Sequence, residues 1–465
     1  MRHNSRASLD TRPPGTPPLD PGLPVLLLRT NHNFFHHGTL GAIRTLGRAG
    51  VPVHAILEGR GNPVSRSRYL RQGHPWAPPV DRPSALVSHL RVIAERVGGA
   101  ALLLPVDDAG AIFVAEHADA LAPAFVFPRQ DPDVPRLVAD KARLLDACAG
   151  YGLACPESRT PGTSAEVDAA ARAFGLPLVA KWARPWRLGP GLRSTTLVHT
   201  REDAHRLLAA SHDAGPLILQ RHIPSGGGDW FFHGYFDGAL DCLFGGTGRK
   251  HLAHPPQAGH TVSGEWVDNP ELAELAIRAV RLLGCRGLVD LDFRRDPRTG
   301  AYHLLDFNPR IGAQFRLFTD RRGLDLARVL HLHQSGRRVP RPRPAYGRRL
   351  LVENDYLRQA LRRPFRRDAP PRGALRRADE LAWYAGDDLP PFLAMGRRTL
   401  LTATRRTLGG RSSGRESNGG TSGRDSRGRT SGRDDPGGRS SGRESGGRSS
   451  GRLDDTHDSH TGERE

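Results

Sequence analysis

Lysine is nearly missing from this chain. Of 68 basic residues only Lys141, Lys181 and Lys250 are lysine, so arginine serves wherever a generic cation suffices. A position that keeps lysine is one where a compact ammonium on a thin stem does what a planar guanidinium cannot. Cysteine is sparse as well. Cys148, Cys155, Cys242 and Cys285 are scattered with no CxxC pair, which argues against a disulfide framework and a zinc site and makes a reducing cytoplasm the expected compartment. No uninterrupted apolar run approaches the roughly 18–20 residues that a membrane-spanning helix needs. The first 22 residues are rich in Pro and Gly and lack the apolar core of a secretory signal, so they read as a disordered lead-in.

What is abundant is positive charge, formally +19. Such an excess can mark a nucleic-acid binder, but here it is local. Residues 337–406 hold 18 Arg against seven Asp and Glu, a net +11 behind the main body of the sequence. From residue 409 the chain is a Gly/Ser/Arg tail with repeated SGR. It cannot bury a core and is expected to be disordered, and it has no aromatic side chains to stack on bases. Between the two, residues 390–408 place Leu393, Leu400, Leu401 and Leu408 at near-helical spacing among Arg397, Arg398, Arg405 and Arg406. That helix either packs on the core with its arginines in water or lies on an anionic membrane surface.

The periodicity of the first third is that of an α/β protein. PVLLLRT (24–30), VPVHAIL (51–57) and ALLLPVDD (101–108) are strand-like apolar runs, and TLGAIRTLGRAG and AGAIFVAEHADALA have helical spacing. Alternating strands and helices imply a doubly wound parallel sheet, whose ligands bind beyond the carboxyl ends of the strands. The Asn31–His37 loop and Asp107–Asp108 fall on that rim. Downstream, residues 137–155 read as one helix and its exit, followed by a helix over 164–174, the strand LPLVAKW, and a loop carrying Arg184, Arg187 and Arg193.

The most informative segment is GLVDLDFRRD–PRTG–AYHLLDFNPR, a hairpin. A turn centred on residue 299 pairs Asp292 with Asp306 and Asp290 with Asn308. Alternation then sets these four on one face beside Arg310, and Leu291, Phe293, Leu305 and Phe307 on the other. Facing carboxylates repel, and a divalent cation is the natural remedy, since Mg²⁺ takes one or two carboxylates plus phosphate oxygens. The histidines of the first loop (His32, His36, His37) and around Lys250 (His251, His254, His260) read as solvated loop residues, with a catalytic base or a second metal site as the alternative.

GCRGLVDLDF followed by HLLDFNPR resembles the metal-binding hairpin of the ATP-grasp superfamily. The resemblance implies ATP and Mg²⁺ (or Mn²⁺) as cofactors, with Asp292, Asp306 and Asn308 as metal ligands and Arg310 at the reacting anion. Relatives often carry Glu where this chain has Asp292 and Asp306. In the same resemblance, Lys141 (ADKARLL) and Lys181 (LPLVAKW) are the two phosphate-binding lysines, with Lys181 also catalytic. LILQRHIPSGGGDW is similar to the adenine strand and hinge, with Gln220 and the backbone of Arg221 and Ile223 on adenine and Asp229 on ribose.

Over residues 21–400 the chain resembles the D-aspartate-ligase-like carboxylate–amine ligases, through GTLGAIRTLGRAGVPVHAI, SRYL, LLLPVDDAGAIFVA, DKARLL, GRKHLAHPPQAG and GDDLPPFL. The implied organisation is a disordered segment (1–22), a Rossmann-like pre-ATP-grasp domain (23–136) and an α+β ATP-grasp domain (137–336). The last divides into a lid lobe of about 137–215 and a metal-binding lobe of about 216–336. An Arg-rich extension (337–408) and the tail (409–465) follow. The implied reaction is amide formation through an acyl phosphate, from a small carboxylate and a small amine chosen by the Asn31–Gly38 and Arg249–His260 loops. A silent ATP-binding protein and, more weakly, a polyanion binder are the alternatives.

Overall fold

Three sheets organise the chain. In the computed structural model, residues 16–59, 61–189, 191–255, 259–362 and 373–409 are described. The 409–465 tail therefore lies outside the described residues, Gly409 apart, as do residues 1–15 of the N-terminal lead-in.

The first sheet is parallel and takes β1 (Val25–Leu28), β2 (Val53–Ile56), β3 (Leu70–His74), β4 (Ala101–Pro105) and β5 (Phe125–Val126) in the order β3-β2-β1-β4-β5. Its strands are apolar throughout because both faces are covered. Val25 and Leu27 join one core cluster, with helix His37–Arg48 and helix Leu326–Gln334, while Leu26 and Leu28 join another with helix Pro83–Val97. Residues 16–22, expected to be without structure, run against this body: Leu19 is buried at 3% exposure, and Pro18 O accepts from Arg337.

The second sheet holds β6 (Ser158–Arg159), β7 (Leu178–Trp182), β8 (Thr195–Val198) and β9 (Leu217–Arg221), ordered β6-β9-β7-β8 and antiparallel. Ahead of it, the single helix expected over 137–155 is two. Asp140 leaves helical geometry (φ −74°, ψ 110°) between Asp133–Ala139 and Lys141–Gly150, and its carboxylate caps the second helix at Ala142 and Arg143 N. The cap fixes Lys141 as the first residue of that helix.

The third sheet is the largest. It adds β10 (Asp229–Phe236), β11 (Cys242–His254), β12 (His260–Trp266), β13 (Gly287–Arg295), β14 (Tyr302–Asn308), β15 (Arg349–Leu351) and β16 (Glu380–Leu381), in the order β14-β13-β10-β11-β12-β15-β16. On β13 and β14 the register is Asp290 with Asn308 and Asp292 with Asp306, and it then slips, so that Phe293 pairs with Leu304. The slip is a β-bulge, which leaves one residue unpaired and re-aims its neighbours. Leu305 was expected on the apolar face. The bulge gives that place to Leu304, which is 4% exposed in a core with Leu291, Phe293, Phe307 and helix Pro270–Leu283.

The Arg-rich segment is threaded into this body. β15 extends the sheet beside β12, and Asp388 of GDDLPPFL is buried where it accepts from Arg44 Nε (2.9 Å), Ser67 Oγ (2.7 Å) and Arg68 N (2.9 Å). Helix Pro390–Gly409 packs through Phe392 and Met395, and the guanidinium of Arg398 sits 3.6 Å from the Phe34 ring centroid. Leu393, Leu400 and Leu401 of that helix are exposed. No described helix is long and apolar enough to cross a membrane. Almost all described residues belong to one compact unit, Met1–Thr407.

Removing one partner of a buried ion pair strands the other charge, whereas an exposed pair contributes little. Asp388→Ala should therefore lower the unfolding free energy by about 3–5 kcal/mol. Arg48→Ala, which removes the surface pair with Asp387, should cost under about 1 kcal/mol. Urea titrations of the two variants check the ordering, and equal losses would show that Asp388 does not anchor the segment.

Candidate active site

The site grows from the polar face of the β13–β14 hairpin. Asp290, Asp292, Asp306 and Asn308 share that face, and each carboxylate already has a cationic partner. Asp306 pairs with Lys141 at the head of its helix. Asp292 Oδ1 lies 2.7 Å from Nζ of Lys250, which reaches over from β11. Asp290 meets Arg310 Nη1 at 2.5 Å and His233 Nε2 at 3.0 Å. Lys181, at the end of β7, donates to Leu305 O at 2.6 Å, so the bulge presents the carbonyl that holds it. All three lysines of the chain therefore converge on one hairpin.

The chain thus supplies compensation for these carboxylates from its own cations. Burial pushes Asp306 up, but Lys141 and Lys181 outweigh it and hold the carboxyl below its usual value. Asp290 is held well below by His233 and Arg310 against the same burial. Asp292 sits above its usual value, because burial and its acidic neighbours outweigh Lys250. Burial lowers Lys181 from 10.5 to about 8, with Asp306 pulling the other way and Lys141 adding to the fall. Burial would also lower Lys250, yet Asp292 keeps it raised.

Two clefts meet at these groups. One, of about 650 Å³, runs between the second and third sheets and is lined by Val179, Lys181, Gln220, Arg221, Ile223, Asp229, Phe293, Arg294 and Leu305, with Lys250, Asp292 and Asp306 at its inner end. The other, of about 1380 Å³, is lined by Arg193, His254, His260, Thr261, Asn308, Arg310 and Gln314 together with the same Lys250, Asp292 and Asp306. A slot with an apolar wall of Val179, Ile223 and Leu305 thus opens onto a charged junction, and a broad polar cleft lies beyond it.

The residues singled out in the sequence fall on these walls, with differences of detail. Gln220 Nε2 donates to Ser158 Oγ at 2.9 Å, which leaves its carbonyl oxygen as an acceptor. The Arg221 N–H is committed to Glu157 O, and Ile223 O accepts from Arg294 with its second lone pair still available. Asp229 is paired with Arg294 Nε at 2.6 Å. Arg310 also contacts Asp108 at 3.3 Å, which ties the carboxyl end of β4 to the hairpin. A Cβ on Gly312 would come within 2.1 Å of the His233 ring, so a glycine is required where the chain leaves the hairpin.

The loop readings need correction. His36 and His37 are not solvated: His36 accepts from Thr39 N as a helix cap, and burial lowers His37 to about 3. The Asn31–Gly38 loop does not line either cleft but abuts the second through Gly38, which packs on Ala313. Arg249–His254 belongs to strand β11 rather than a loop. Asp107 is a staple, accepting from Thr30 N, Thr30 Oγ1, Asn31 N and Gly110 N. His233 and Arg294 were not singled out in the sequence. The clue to both was the β10–β13 pairing, which sets His233 opposite Asp290 and Asp229 opposite Arg294.

No family model matches the sequence. It is 23% identical over 266 residues to D-aspartate ligase of Enterococcus faecium (strain Aus0004), across 53% of this chain and 62% of that protein. The match thus spans less than two thirds of that relative. Among solved structures, N5-carboxyaminoimidazole synthetase from Staphylococcus aureus complexed with ADP superposes with a TM-score of 0.55 at 11% identity, covering 74% of this chain and 87% of that one. The biotin carboxylase domain of Hydrogenobacter thermophilus 2-oxoglutarate carboxylase, in complex with MgADP, ADP and bicarbonate, superposes with a TM-score of 0.52 at 18% identity, covering 70% and 72%. The fold is ATP-grasp.

In this ATP-grasp chain the paired charges carry opposite consequences. Asp306 is stabilised as an anion, so Asp306→Asn should lower the stability of the nucleotide- and metal-free protein by about 1–2 kcal/mol. The folded value of Lys181 lies below its unfolded value, so the folded protein holds that proton less tightly and stability rises as pH climbs from about 8 toward 10.5. Lys181→Met removes the cost, so it should stabilise the same protein most at pH 7 and lose that advantage by pH 10. Thermal melts across pH test both signs. A stabilising Asp306→Asn would restore the view of the hairpin as a cluster of repelling carboxylates.

Proposed function

We propose that this protein is an ATP- and Mg²⁺-dependent ligase that joins a small carboxylate to a small amine through an acyl phosphate. The observation that carries this reading is the junction itself: a slot with one apolar wall and a polar cleft share Lys250, Asp292 and Asp306, with Lys141 and Lys181 on the same hairpin. Such an arrangement suits a reactant with a flat apolar end and a polyanionic end, facing a second reactant across the anion. The names of the similar proteins, a D-aspartate ligase and structures carrying ADP, agree with it.

In this reading the adenine lies in the slot against Val179, Ile223 and Leu305 with Gln220 at its edge, and Asp229 meets the ribose. Lys141 and Lys181 take the phosphates, exchanging Asp306 and the Leu305 carbonyl for phosphate oxygens. Asp292, Asp306 and Asn308 would hold Mg²⁺. Among the described residues no group of three or more His, Cys, Asp or Glu is arranged for a metal. Two carboxylates and an amide carbonyl nonetheless fit a cation that draws its remaining ligands from phosphate and water. The Asn308 Nδ2 bond to Asp290 O, at 3.1 Å, leaves the amide oxygen as the donor atom. Bound there, the metal would supply charge neutralisation at the transferring phosphoryl group.

A substrate carboxylate attacks the γ-phosphorus, ADP departs, and the amine then attacks the acyl carbon. Arg310, fixed by Asp290 and Asp108, stabilises the oxyanion that develops. Arg193 on the 183–194 segment stands at the cleft wall, where closure of the segment would exclude water from the acyl phosphate. The first sheet would be the pre-ATP-grasp domain, the second the lid lobe and the third the metal-binding lobe, with residues 349–351 and 380–381 completing the last. The four unbridged cysteines suit a reducing cytoplasm.

Phosphate release from ATP, screened over amino acids that include D-aspartate as the acid and over primary amines, is the direct test. Release should require acid, amine and Mg²⁺ together and should fall roughly 10²–10³-fold in Lys181→Ala, on the order expected when an electrostatic group at the transferring phosphoryl is lost. ATP binding with no acid-dependent ADP formation across the whole panel would instead identify a silent nucleotide-binding protein.

A further inference from the structure

An amine reaches a ligase as an ammonium ion and must lose a proton before its lone pair can attack. The groups placed on the phosphates cannot take that proton. Lys141, Lys181 and Arg310 are cations, and Asp290, Asp292 and Asp306 are each engaged by one or more cations. The base has to come from the second cleft.

That cleft presents His260, the first residue of β12, with 57% of its side chain exposed. Its Nε2 lies 2.9 Å from Asp355 Oδ2. Asp355 stands on helix Glu353–Arg362, which follows β15, the strand paired with β12, so the C-terminal segment carries this carboxylate to the cleft. Asp355 is itself held through Oδ1, by Arg358 Nη1 at 3.1 Å and Asn354 Nδ2 at 3.3 Å. Burial pushes its carboxyl up, but His260, Arg358 and His37 outweigh that and keep it anionic. An anionic carboxylate only accepts hydrogen bonds, so Nε2 carries the proton and Nδ1 keeps its lone pair. The other titratable groups around the ring are His254 on β11, with ring centroids 6.0 Å apart, and the buried His37.

We propose that His260 is the general base of the amine half-reaction, with Asp355 as its positioning residue. The proposal rests on the ligase reading above. His260 Nδ1 takes one proton from the ammonium, and the freed nitrogen attacks the acyl carbon. The carbon–oxygen bond to phosphate breaks and its electron pair leaves with the phosphate. The nitrogen's second proton departs on HPO₄²⁻, and the imidazolium returns the first to water.

Hydroxylamine separates the two halves of the reaction, because it is largely unprotonated at neutral pH and needs no base. Wild type, His260→Gln and Asp355→Asn would be given ATP, Mg²⁺ and the acid that best supports phosphate release. The nucleophile would be either hydroxylamine or the best amine from the same screen. In His260→Gln, hydroxamate formation and calorimetric ATP affinity should stay within about twofold of wild type. Amide formation at pH 7 should fall by roughly 10²–10⁴-fold and recover at alkaline pH, where the amine deprotonates in solution. In Asp355→Asn the acidic limb of the kcat/KM profile should move to lower pH. Equal losses with both nucleophiles, or undiminished amide formation by His260→Gln, would overturn the proposal while leaving the ligase reading intact. A wild type that forms no hydroxamate with any acid would refute the ligase reading itself.

Discussion

The structure depends on the pairing of ammonium groups with the carboxylates of one hairpin. Three acids on adjacent positions of β13 and β14 would repel if left alone. Here Lys141, Lys250 and Arg310 each answer one of them, and the three cations come from widely separated parts of the chain. Lys141 arrives on a helix that begins only because Asp140 breaks and caps it. Lys250 arrives on a strand two places along the same sheet. Arg310 arrives by way of the residues that leave the hairpin. The hairpin is thus a point of assembly for the fold as much as a candidate site, and its apolar reverse face anchors helix Pro270–Leu283.

The use of lysine follows from that geometry. A guanidinium spreads its charge over a plane and prefers two-point contacts, which suits the buried pair of Arg44 with Asp388 and the Arg310 link between Asp290 and Asp108. Lys141, Lys181 and Lys250 instead each make a single point contact, with Asp306, the Leu305 carbonyl and Asp292. At Lys181 burial outweighs the pull of Asp306, and its value falls to about 8. A sequence that otherwise replaces lysine with arginine retains it where bulk would close the cleft.

Much of this was legible in the sequence because it is local. Alternation fixed the faces of the hairpin, and the two pairs nearest its open end, Asp290 with Asn308 and Asp292 with Asp306, stand where a simple turn count puts them. The bulge was not legible, since an inserted residue leaves the letters of a strand unchanged. Nor were the partners of the acids, because His233 and Lys250 reach them across strands whose order no short-range pattern records. The single helix expected over 137–155 failed at Asp140, where a side-chain cap outweighs helical propensity. His37 was misjudged because residues distant in sequence, Arg316, His260 and Asp355 among them, close around it, while His32 is exposed as expected. The Arg-rich segment was read by its charge, while its place is set by two aspartates, one of them buried with Arg44.

The bulge at Leu305 sets a constraint of a different kind. Its carbonyl faces Lys181 only because one strand of the hairpin is a residue longer than its partner between the paired acids and the turn. Substitutions at Leu304 or Leu305 change side chains and leave that offset in place. Removing a single residue from 303–305 would cancel it and take away the carbonyl that holds Lys181. The hairpin is therefore restricted in length more tightly than in letters. The 296–301 turn at its far end, solvent-facing and closed on itself by the Asp296 and Ala301 hydrogen bond, is where the count of residues is free to vary.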